Sequence, residues 1–176
     1  MAAPIRIGII SDTHGYLDPT IQDIFANTTH IIHAGDIGPS TILSQLEAIA
    51  PVTAVGGNTD SDPSYRETAV VVIAEYKFLV HHIISVGDRS QPINRTIRAN
   101  HPNLVVFGHT HRRFYGMSEA IPYLNPGYSG HKRRDTERSV ATITIQDKAL
   151  LEPQFISLDQ KRGARINNLD SNSNAT

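Results

Sequence analysis

Cysteine is absent from the 176-residue sequence, and this absence excludes several kinds of chemistry. Without a thiol, the chain has no disulfide scaffold, no cysteine nucleophile and no zinc site with cysteine ligands. The absence is also typical of proteins in a reducing compartment, so we expect a cytoplasmic protein. The apolar run at the start of the chain agrees with this expectation, because it is too short for a signal peptide and ends at Asp12.

The sequence also lacks a long hydrophobic run and an excess of charge of one sign. No stretch approaches the roughly 20 apolar residues of a membrane-spanning helix, so we expect no membrane association. The formal net charge is -1, which predicts no broad basic surface and argues against long nucleic acids as partners. Hydrophobic residues make up 39% of the chain, enough for one core. We therefore predict one domain at residues 1–158 and a polar, frayed tail at 159–176.

Short runs rich in isoleucine and valine alternate with amphipathic segments in the first part of the chain. The spacing predicts strands at residues 5–10, 30–33 and 52–55, with helices at 17–26 and 39–49 between them. This alternation predicts a largely parallel sheet with helices on its faces.

The pattern changes in the second part of the chain. We predict a hairpin at residues 68–81, a helix at 91–100 and a strand at 104–107. The last part has candidate strands at residues 113–116, 122–124, 140–145 and 150–157. Strands in such close succession indicate an antiparallel meander.

Polar residues flanked by glycine follow four of the predicted strands. The four clusters are Asp12-x-His14-Gly15, Gly35-Asp36, Gly57-Asn58-x-Asp60 and Gly108-His109-x-His111. Because the carboxyl ends of strands in an open α/β sheet share one edge, we expect these clusters to meet there. Carboxylate, imidazole and amide donors suit divalent manganese, iron, zinc, cobalt or nickel, and the donors alone do not choose among these metals.

Each cluster taken alone also has a structural explanation. Asp12 or Asp36 could cap the helix that follows it, and Asn58 could form an ordinary turn. The rings of His81 and His82 could be satisfied within a hairpin strand. The four clusters together favour a metal site, because so many polar and charged groups at one edge would be costly without a cation.

The order of these motifs resembles that of the calcineurin-like metallophosphoesterase family. The chain contains, in order, D-x-H at Asp12, G-D at Asp36, G-N at Asn58, a lone histidine at His81 and G-H-x-H at His109. The third motif, G-N-x-D, is similar to that of the small bacterial and archaeal phosphodiesterases of the family. The resemblance covers most of the chain and implies a four-layer α/β/β/α sandwich, in which two mixed sheets are flanked by helices.

The resemblance also implies a centre with two divalent metal ions. The implied ligands are Asp12, His14 and His111 for the first ion, Asn58, His81 and His109 for the second, and Asp36 as a bridge. We expect manganese first, with nickel, zinc, iron and cobalt as alternatives. A metal-bound hydroxide would then be the nucleophile that attacks a small phosphate ester.

Further residues are assigned roles around these ligands. We expect Asp36, Asn58, Asp60 and His82 to take part in catalysis, with Asp60 orienting a ligand histidine. Asn58 and Arg133 are expected to contact the substrate phosphate, although the charged run around Arg133 is more typical of a solvated loop.

Several positions depart from the family pattern, among them Lys132, which replaces a proline. Thr59 replaces the histidine that is expected to protonate the leaving group in larger relatives, and this favours either substrates with good leaving groups or a proton supplied by water. His82 replaces a glycine, and its ring either supplies a polar group or crowds the site. Tyr128 follows Asn125-Pro126-Gly127, where the family has serine.

These features predict a metal-dependent phosphoesterase, with a phosphodiesterase favoured over a phosphomonoesterase. One alternative is a metal-binding interaction scaffold of the same fold with little catalysis, like the retromer subunit. Another is a nuclease, which would share the chemistry. All seven ligand positions carry competent donors, which favours the enzyme, and the sequence leaves a homo-oligomer open.

Overall fold

The computed structural model describes residues 3–159, a range that contains eleven strands and three helices. The strands, in chain order, are β1 (Ile5–Ile10), β2 (His30–His33), β3 (Val52–Ala54), β4 (Thr68–Ile73), β5 (Tyr76–His81), β6 (Leu104–Val106), β7 (Arg113–Ser118), β8 (Ile121–Pro126), β9 (Ser139–Gln146), β10 (Ala149–Leu150) and β11 (Gln154–Ser157). The helices are α1 (Ile21–Phe25), α2 (Thr41–Glu47) and α3 (Ile93–Asn100).

The strands form two mixed sheets. In the first sheet the order is β10-β9-β1-β2-β3, and β11 also pairs with β9. Strands β1, β2 and β3 are parallel, whereas β9 runs antiparallel to β1. In the second sheet the order is β4-β5-β6-β8-β7, with β5, β6 and β8 parallel and an antiparallel hairpin at each edge.

The two sheets pack face to face around one apolar core. Side chains alternate between the faces of a strand, so Ile7 and Ile9 of β1 point to the same side. They pack in one cluster with Phe78 and Val80 of β5. Four apolar side chains with essentially no exposed surface at this contact show that the sheets form the two inner layers.

The helices cover the outer faces of the two sheets. Ile31 of β2 packs in a cluster with residues of α1 and α2, including Leu46. On the other sheet, Leu79 and Val105 pack with Ile97 of α3. This arrangement confirms the predicted four-layer sandwich of two mixed sheets.

The helices are shorter than their amphipathic patterns predict. Helix α1 begins only at Ile21, because Asp18 accepts hydrogen bonds from the backbone N–H and the hydroxyl of Thr20 and so forms a turn. Helix α3 ends at Asn100, because His101 adopts a left-handed conformation with φ 47°. The apolar spacing therefore continues into turns on either side of the helical hydrogen bonds.

The predicted C-terminal meander is wrong, because its strands divide between the two sheets. The β7–β8 hairpin joins the second sheet through β8 and β6, whereas β9 crosses to the first sheet beside β1. The single strand predicted at residues 150–157 is broken at Pro153 into β10 and β11, which pair separately with β9. Proline has no N–H for the ladder, so it interrupts the pairing.

Apart from Asp159, the predicted polar tail lies outside the described residues, and the predicted domain limits stay a prediction. Among residues 3–159, no helix has the length and apolar character needed to cross a membrane.

Candidate metal centre

The predicted site residues follow the carboxyl ends of strands from both sheets. Asp12 and His14 follow β1, and Asp36 follows β2. His109 and His111 follow β6 of the second sheet. The two sheets therefore supply opposite sides of one site, where the sequence predicted the edge of a single sheet.

Four of these side chains form a compact group of donor atoms. One ligand atom from each of Asp12, His14, Asp36 and His111 lies within 4.8 Å of every other. His111 Nε2 is 3.3 Å from Asp12 Oδ1 and 3.4 Å from His14 Nε2, and His14 Nε2 is 3.7 Å from Asp36 Oδ2. Donors bound to one divalent ion at about 2.0–2.2 Å lie about 3–3.5 Å apart, so this group matches a metal site.

A second group of donors lies on the other side of Asp36. His82 Nε2 is 3.4 Å from Asp36 Oδ2, and the rings of His82 and His109 are 5.4 Å apart. His109 Nδ1 lies 2.9 Å from Asn58 Oδ1. Asp36 Oδ2 thus contacts a histidine of each group, His14 in the first and His82 in the second.

The hydrogen bonds of His82 leave one nitrogen available to a metal. Its Nδ1 donates to the carbonyl of Ala34 at 2.7 Å, so the neutral ring presents a lone pair on Nε2. That atom is buried and has no hydrogen-bond partner among residues 3–159. A histidine that donates one N–H to a backbone carbonyl and directs the other nitrogen at acidic groups is the usual arrangement of a metal ligand. The residues present therefore fit a divalent cation.

The contacts of His81 differ from those of His82. His81 Nδ1 lies 2.9 Å from Thr68 Oγ1 and 3.0 Å from the carbonyl of Glu67. Alternation along β5 explains the difference, because His82 continues the face of Val80 toward the other sheet, whereas His81 shares the face of Leu79. Of the two adjacent histidines, His82 is the one that contacts the carboxylate of Asp36.

The backbone at the site adopts an unusual conformation. Five of the predicted ligands have positive φ angles: Asp12 (55°), His14 (45°), Asp36 (53°), His109 (68°) and His111 (58°). This left-handed region is uncommon for residues other than glycine and costs about 1–3 kcal/mol for each residue. Such strain persists where the surrounding structure holds the backbone, and here it directs the side chains into the gap between the sheets.

The glycine before Asn58 is required by close packing. A Cβ atom on Gly57 would lie 2.1 Å from Asp36 Oδ1 and 2.3 Å from its backbone nitrogen. Any side chain at this position would therefore displace the carboxylate that lies between the two groups of donors.

Asp60 holds the site loops together through their backbones. Its carboxylate accepts hydrogen bonds from the N–H groups of Ile37, Gly38 and Gly57 at 2.8–3.0 Å. Through these bonds Asp60 joins the loop of Asp36 to the loop of Asn58, and the expectation that it orients a ligand histidine stays a prediction. The neighbouring Thr59 donates its N–H to Asp36 Oδ1 at 2.9 Å.

The environment keeps Asp36 ionised and His14 neutral. Burial tends to raise the pKa of Asp36, but hydrogen bonds from Thr59 together with the nearby His82 and His14 leave it below its ordinary value. Burial lowers the pKa of His14, although the charges of Asp36 and Asp12 partly oppose this effect. A carboxylate beside a neutral imidazole is the protonation state that metal binding requires.

Arg133 lies at the rim of this centre. Its guanidinium is 4.7 Å from the centre of the Tyr128 ring, and that ring lies 4.8 Å from the ring of His111 and 5.9 Å from that of His14. The positive charge of Arg133 also contributes to the lowered pKa of His14. The side chain is exposed, so it is free to bind an anion beside the first group of donors.

Two residues contribute more to the site than the sequence indicated. Tyr128 is almost fully buried and packs between Arg133 and the ligand histidines. Asn125 is buried and donates to the carbonyl of Gly108 at 2.7 Å and to Thr110 Oγ1 at 3.1 Å, so it supports the loop of His109. The N-P-G signal marked this segment, but a sequence pattern does not reveal which loop it contacts.

Comparisons with known proteins agree with this geometry. Residues 5–148 match the calcineurin-like phosphoesterase superfamily domain. The chain is 32% identical over 167 residues to a probable metallophosphoesterase of Methanocaldococcus jannaschii, covering 91% of this chain and 85% of that protein. It is also similar to a solved archaeal phosphodiesterase, with 25% identity, a TM-score of 0.70 and coverage of 88% and 100%.

A further solved structure shares the fold alone. The vacuolar protein sorting 29 protein of Cryptosporidium parvum is 18% identical, with a TM-score of 0.68 and coverage of 90% of this chain and 100% of that one. The family match spans most of the chain and includes every strand end that carries a site residue. The chain therefore belongs to the calcineurin-like phosphoesterase superfamily.

Proposed function

We propose that the chain is a phosphodiesterase that depends on two divalent metal ions in this centre. Asp12, His14 and His111 would hold one ion; Asn58, His82 and His109 would hold the other; and Asp36 would bridge both. The observation that carries the proposal is the approach of four donor atoms from both sheets to within 4.8 Å of one another.

The side chains around the donors have separate tasks in this proposal. Metal ions bound here would polarise the phosphoryl oxygens and lower the pKa of a bound water, making hydroxide available as the nucleophile. Arg133 would bind a phosphoryl oxygen from the rim and orient the ester. Asp60 would keep Asp36 and Asn58 at a constant separation, because its carboxylate joins their two loops.

The proposed substrate is a small diester with a good leaving group. The diester preference draws on the similarity to the archaeal phosphodiesterase. Thr59 lies close to His14, with its hydroxyl 3.5 Å from Nδ1, and a threonine hydroxyl is a poor proton donor at neutral pH. Aryl esters, whose leaving groups need no proton, should therefore react fastest.

The central test uses metal-free protein that is reloaded with Mn²⁺ and then with Ni²⁺, Zn²⁺, Fe²⁺ or Co²⁺ in parallel. We expect a higher kcat/KM for bis(4-nitrophenyl) phosphate than for 4-nitrophenyl phosphate, and manganese as the best activator. Asp36→Asn and His109→Ala should each lower kcat by about 100-fold or more, because each removes a donor that stabilises charge in the transition state. His101→Asn is the control, since this exposed histidine caps α3 and asparagine tolerates its left-handed backbone.

Metal stoichiometry tests the assignment of the second ion. Two ions should bind to the wild type and to His81→Ala, whereas His82→Ala should retain about one. The reverse pattern would show that His81 is the ligand. Two bound ions without hydrolysis of either ester would favour the interaction scaffold, and activity that survives both Asp36→Asn and His109→Ala would overturn the mechanism.

A further inference from the structure

Two adjoining cavities lie beside the second group of donors. The first, of about 170 Å³, is lined by Asn58 and His82 from the metal centre and also by Glu67, His81 and Ile83. The second, of about 430 Å³, shares these last three residues and extends to the start of α3. The larger volume is within the range of small-molecule pockets, and the shared wall connects it to the place where the phosphoryl group would bind.

The walls of these cavities are suited to an uncharged group. Ile83 is 43% exposed although it is a large apolar side chain beside a polar centre, and Pro92 and Ile93 add apolar surface. Glu67 is the charged residue at the shared wall, and of the described residues that line the two cavities none is a lysine or arginine. An apolar surface beside a carboxylate favours a neutral group and repels a second anion.

His81 forms a fixed polar part of the same wall. Its Nδ1 contacts the carbonyl of Glu67, just before strand β4, and the hydroxyl of Thr68, the first residue of that strand. Its Nε2 has no hydrogen-bond partner among residues 3–159. The ring is therefore anchored from one side while its other side borders the cavities, a use for this histidine that the metal centre does not require.

We propose that these cavities form the pocket for one ester group of the substrate, an uncharged and partly apolar alkyl or aryl group. The pocket rests on the proposed phosphodiesterase function and defines its substrate class. The phosphoryl group would lie at the donors, with Arg133 on the side of His14 and the pocket on the side of His82. A diester with a neutral group fills both regions, whereas a phosphomonoester leaves the pocket empty.

The test compares diesters that differ only in this group and release the same 4-nitrophenol. The substrates are the phenyl, methyl and 4-carboxyphenyl esters of 4-nitrophenyl phosphate, each assayed with the manganese-loaded protein. Ile83→Ala should lower the ratio of kcat/KM for the phenyl ester to that for the methyl ester about fivefold, because it removes apolar contact. Glu67→Lys should raise the ratio for the carboxyphenyl ester to the phenyl ester about tenfold, because it reverses the charge at the wall.

Matched variants separate the pocket from general damage. Val72→Ala removes an exposed apolar side chain from the same sheet away from the cavities and should leave both ratios unchanged. His81→Phe should lower the phenyl-to-methyl ratio while two metal ions still bind, because the new ring lacks the hydrogen bonds to Glu67 and Thr68 that hold His81 at the wall and is free to turn into the pocket. His30→Phe is its control, because His30 also lies against a threonine hydroxyl, at 2.8 Å, but at the opposite end of its strand.

Equilibrium binding distinguishes failure of the pocket from failure of the proposed function. Diphenyl phosphate, titrated into metal-loaded protein by calorimetry, should bind about fivefold more weakly to Ile83→Ala than to the wild type. Suppose that Ile83→Ala and Glu67→Lys hydrolyse the diesters with unchanged ratios and bind diphenyl phosphate as the wild type does. This result would overturn the pocket but not the proposed phosphodiesterase function. Binding that depends on Ile83 without hydrolysis of any diester would support the pocket and overturn the function. Loss of a metal ion in His81→Phe would count against the pocket, because His81 would then be a ligand.

Discussion

At the scale of single residues, histidines of this chain have different roles that depend on which nitrogen is already bonded. His82 donates Nδ1–H to a backbone carbonyl and keeps Nε2 free for a cation. His33 is equally buried, but both of its nitrogens are satisfied. Its Nδ1 accepts from the N–H of Gly35 at 3.2 Å, and its Nε2 lies 2.9 Å from Thr13 Oγ1, which donates to the carbonyl of Ile37. His33 is thus a structural residue in its neutral form.

The stability of the metal-free protein should depend on pH through His33. Burial lowers the pKa of His33 from 6.5 to about 4, so between these values the unfolded chain binds a proton that the folded chain does not. The free energy of unfolding should therefore fall as pH falls from 6.5 to 4, by up to about 1.4 kcal/mol per pH unit from this residue. Urea unfolding at pH 7, 6 and 5 should show a shallower dependence in His33→Gln. An equal slope in both proteins would contradict the assignment.

At the scale of elements, a strand that carries no ligand supports the loops of the metal centre. Strand β8 carries no predicted ligand, yet Asn125 near its end donates to the loop after β6. The same side chain accepts from the N–H of Gly127 at 2.9 Å, so it also holds the turn that leads to Tyr128. The periodicity of β8 predicts a strand, but its pairing with β6 brings Asn125 to the metal loop.

Replacement of Asn125 should weaken the metal centre as well as the fold. Asn125→Leu removes one of two hydrogen bonds to the carbonyl of Gly108, which also accepts from the N–H of Thr110, and leaves the buried N–H of Gly127 without its partner. The free energy of unfolding should therefore fall by about 2 kcal/mol. The affinity for metal should fall about tenfold or more, because the loop of His109 and His111 loses its support. Urea unfolding and metal titration measure the two effects.

Asn103→Leu provides the matched control for this prediction. Asn103 also bonds a backbone group, accepting from the N–H of Lys77 at 2.8 Å, but it precedes β6 and so lies at the opposite end of the strand. It should lose stability and keep the metal affinity. Equal loss of metal affinity in the two variants would show that Asn125 has no specific role in the centre.

At the scale of the whole molecule, the metal centre joins the two sheets. Asp12, His14 and Asp36 belong to the first sheet, whereas His82, His109 and His111 belong to the second. The apolar core between the sheets holds these two halves in contact. A cation that binds donors from both sheets binds the folded chain in preference to the unfolded one, so it should stabilise the whole domain.

Metal binding should therefore raise the melting temperature. A free Mn²⁺ concentration 100 times Kd should add about 2.7 kcal/mol to the free energy of unfolding for each site. Differential scanning calorimetry with and without Mn²⁺ measures this effect, and chelation should reverse it. Asp36→Asn should reduce the gain, while His101→Asn should retain it. An unchanged melting temperature on saturation with metal would contradict a site shared by the two sheets.

The sequence by itself determined most of the strands, the four polar clusters at their ends and the family, because period-two apolar patterns and glycine-flanked donors are local features. It also indicated that the clusters meet, since strand ends of an α/β sheet share an edge. Which of two adjacent histidines faces Asp36 was decided by the tertiary structure, because a change of one residue along a strand reverses the direction of the side chain. Contacts between segments distant in the chain also decided three other features, which local patterns do not specify. These are the division of the last strands between two sheets, the role of Asn125 and the pocket beside His81.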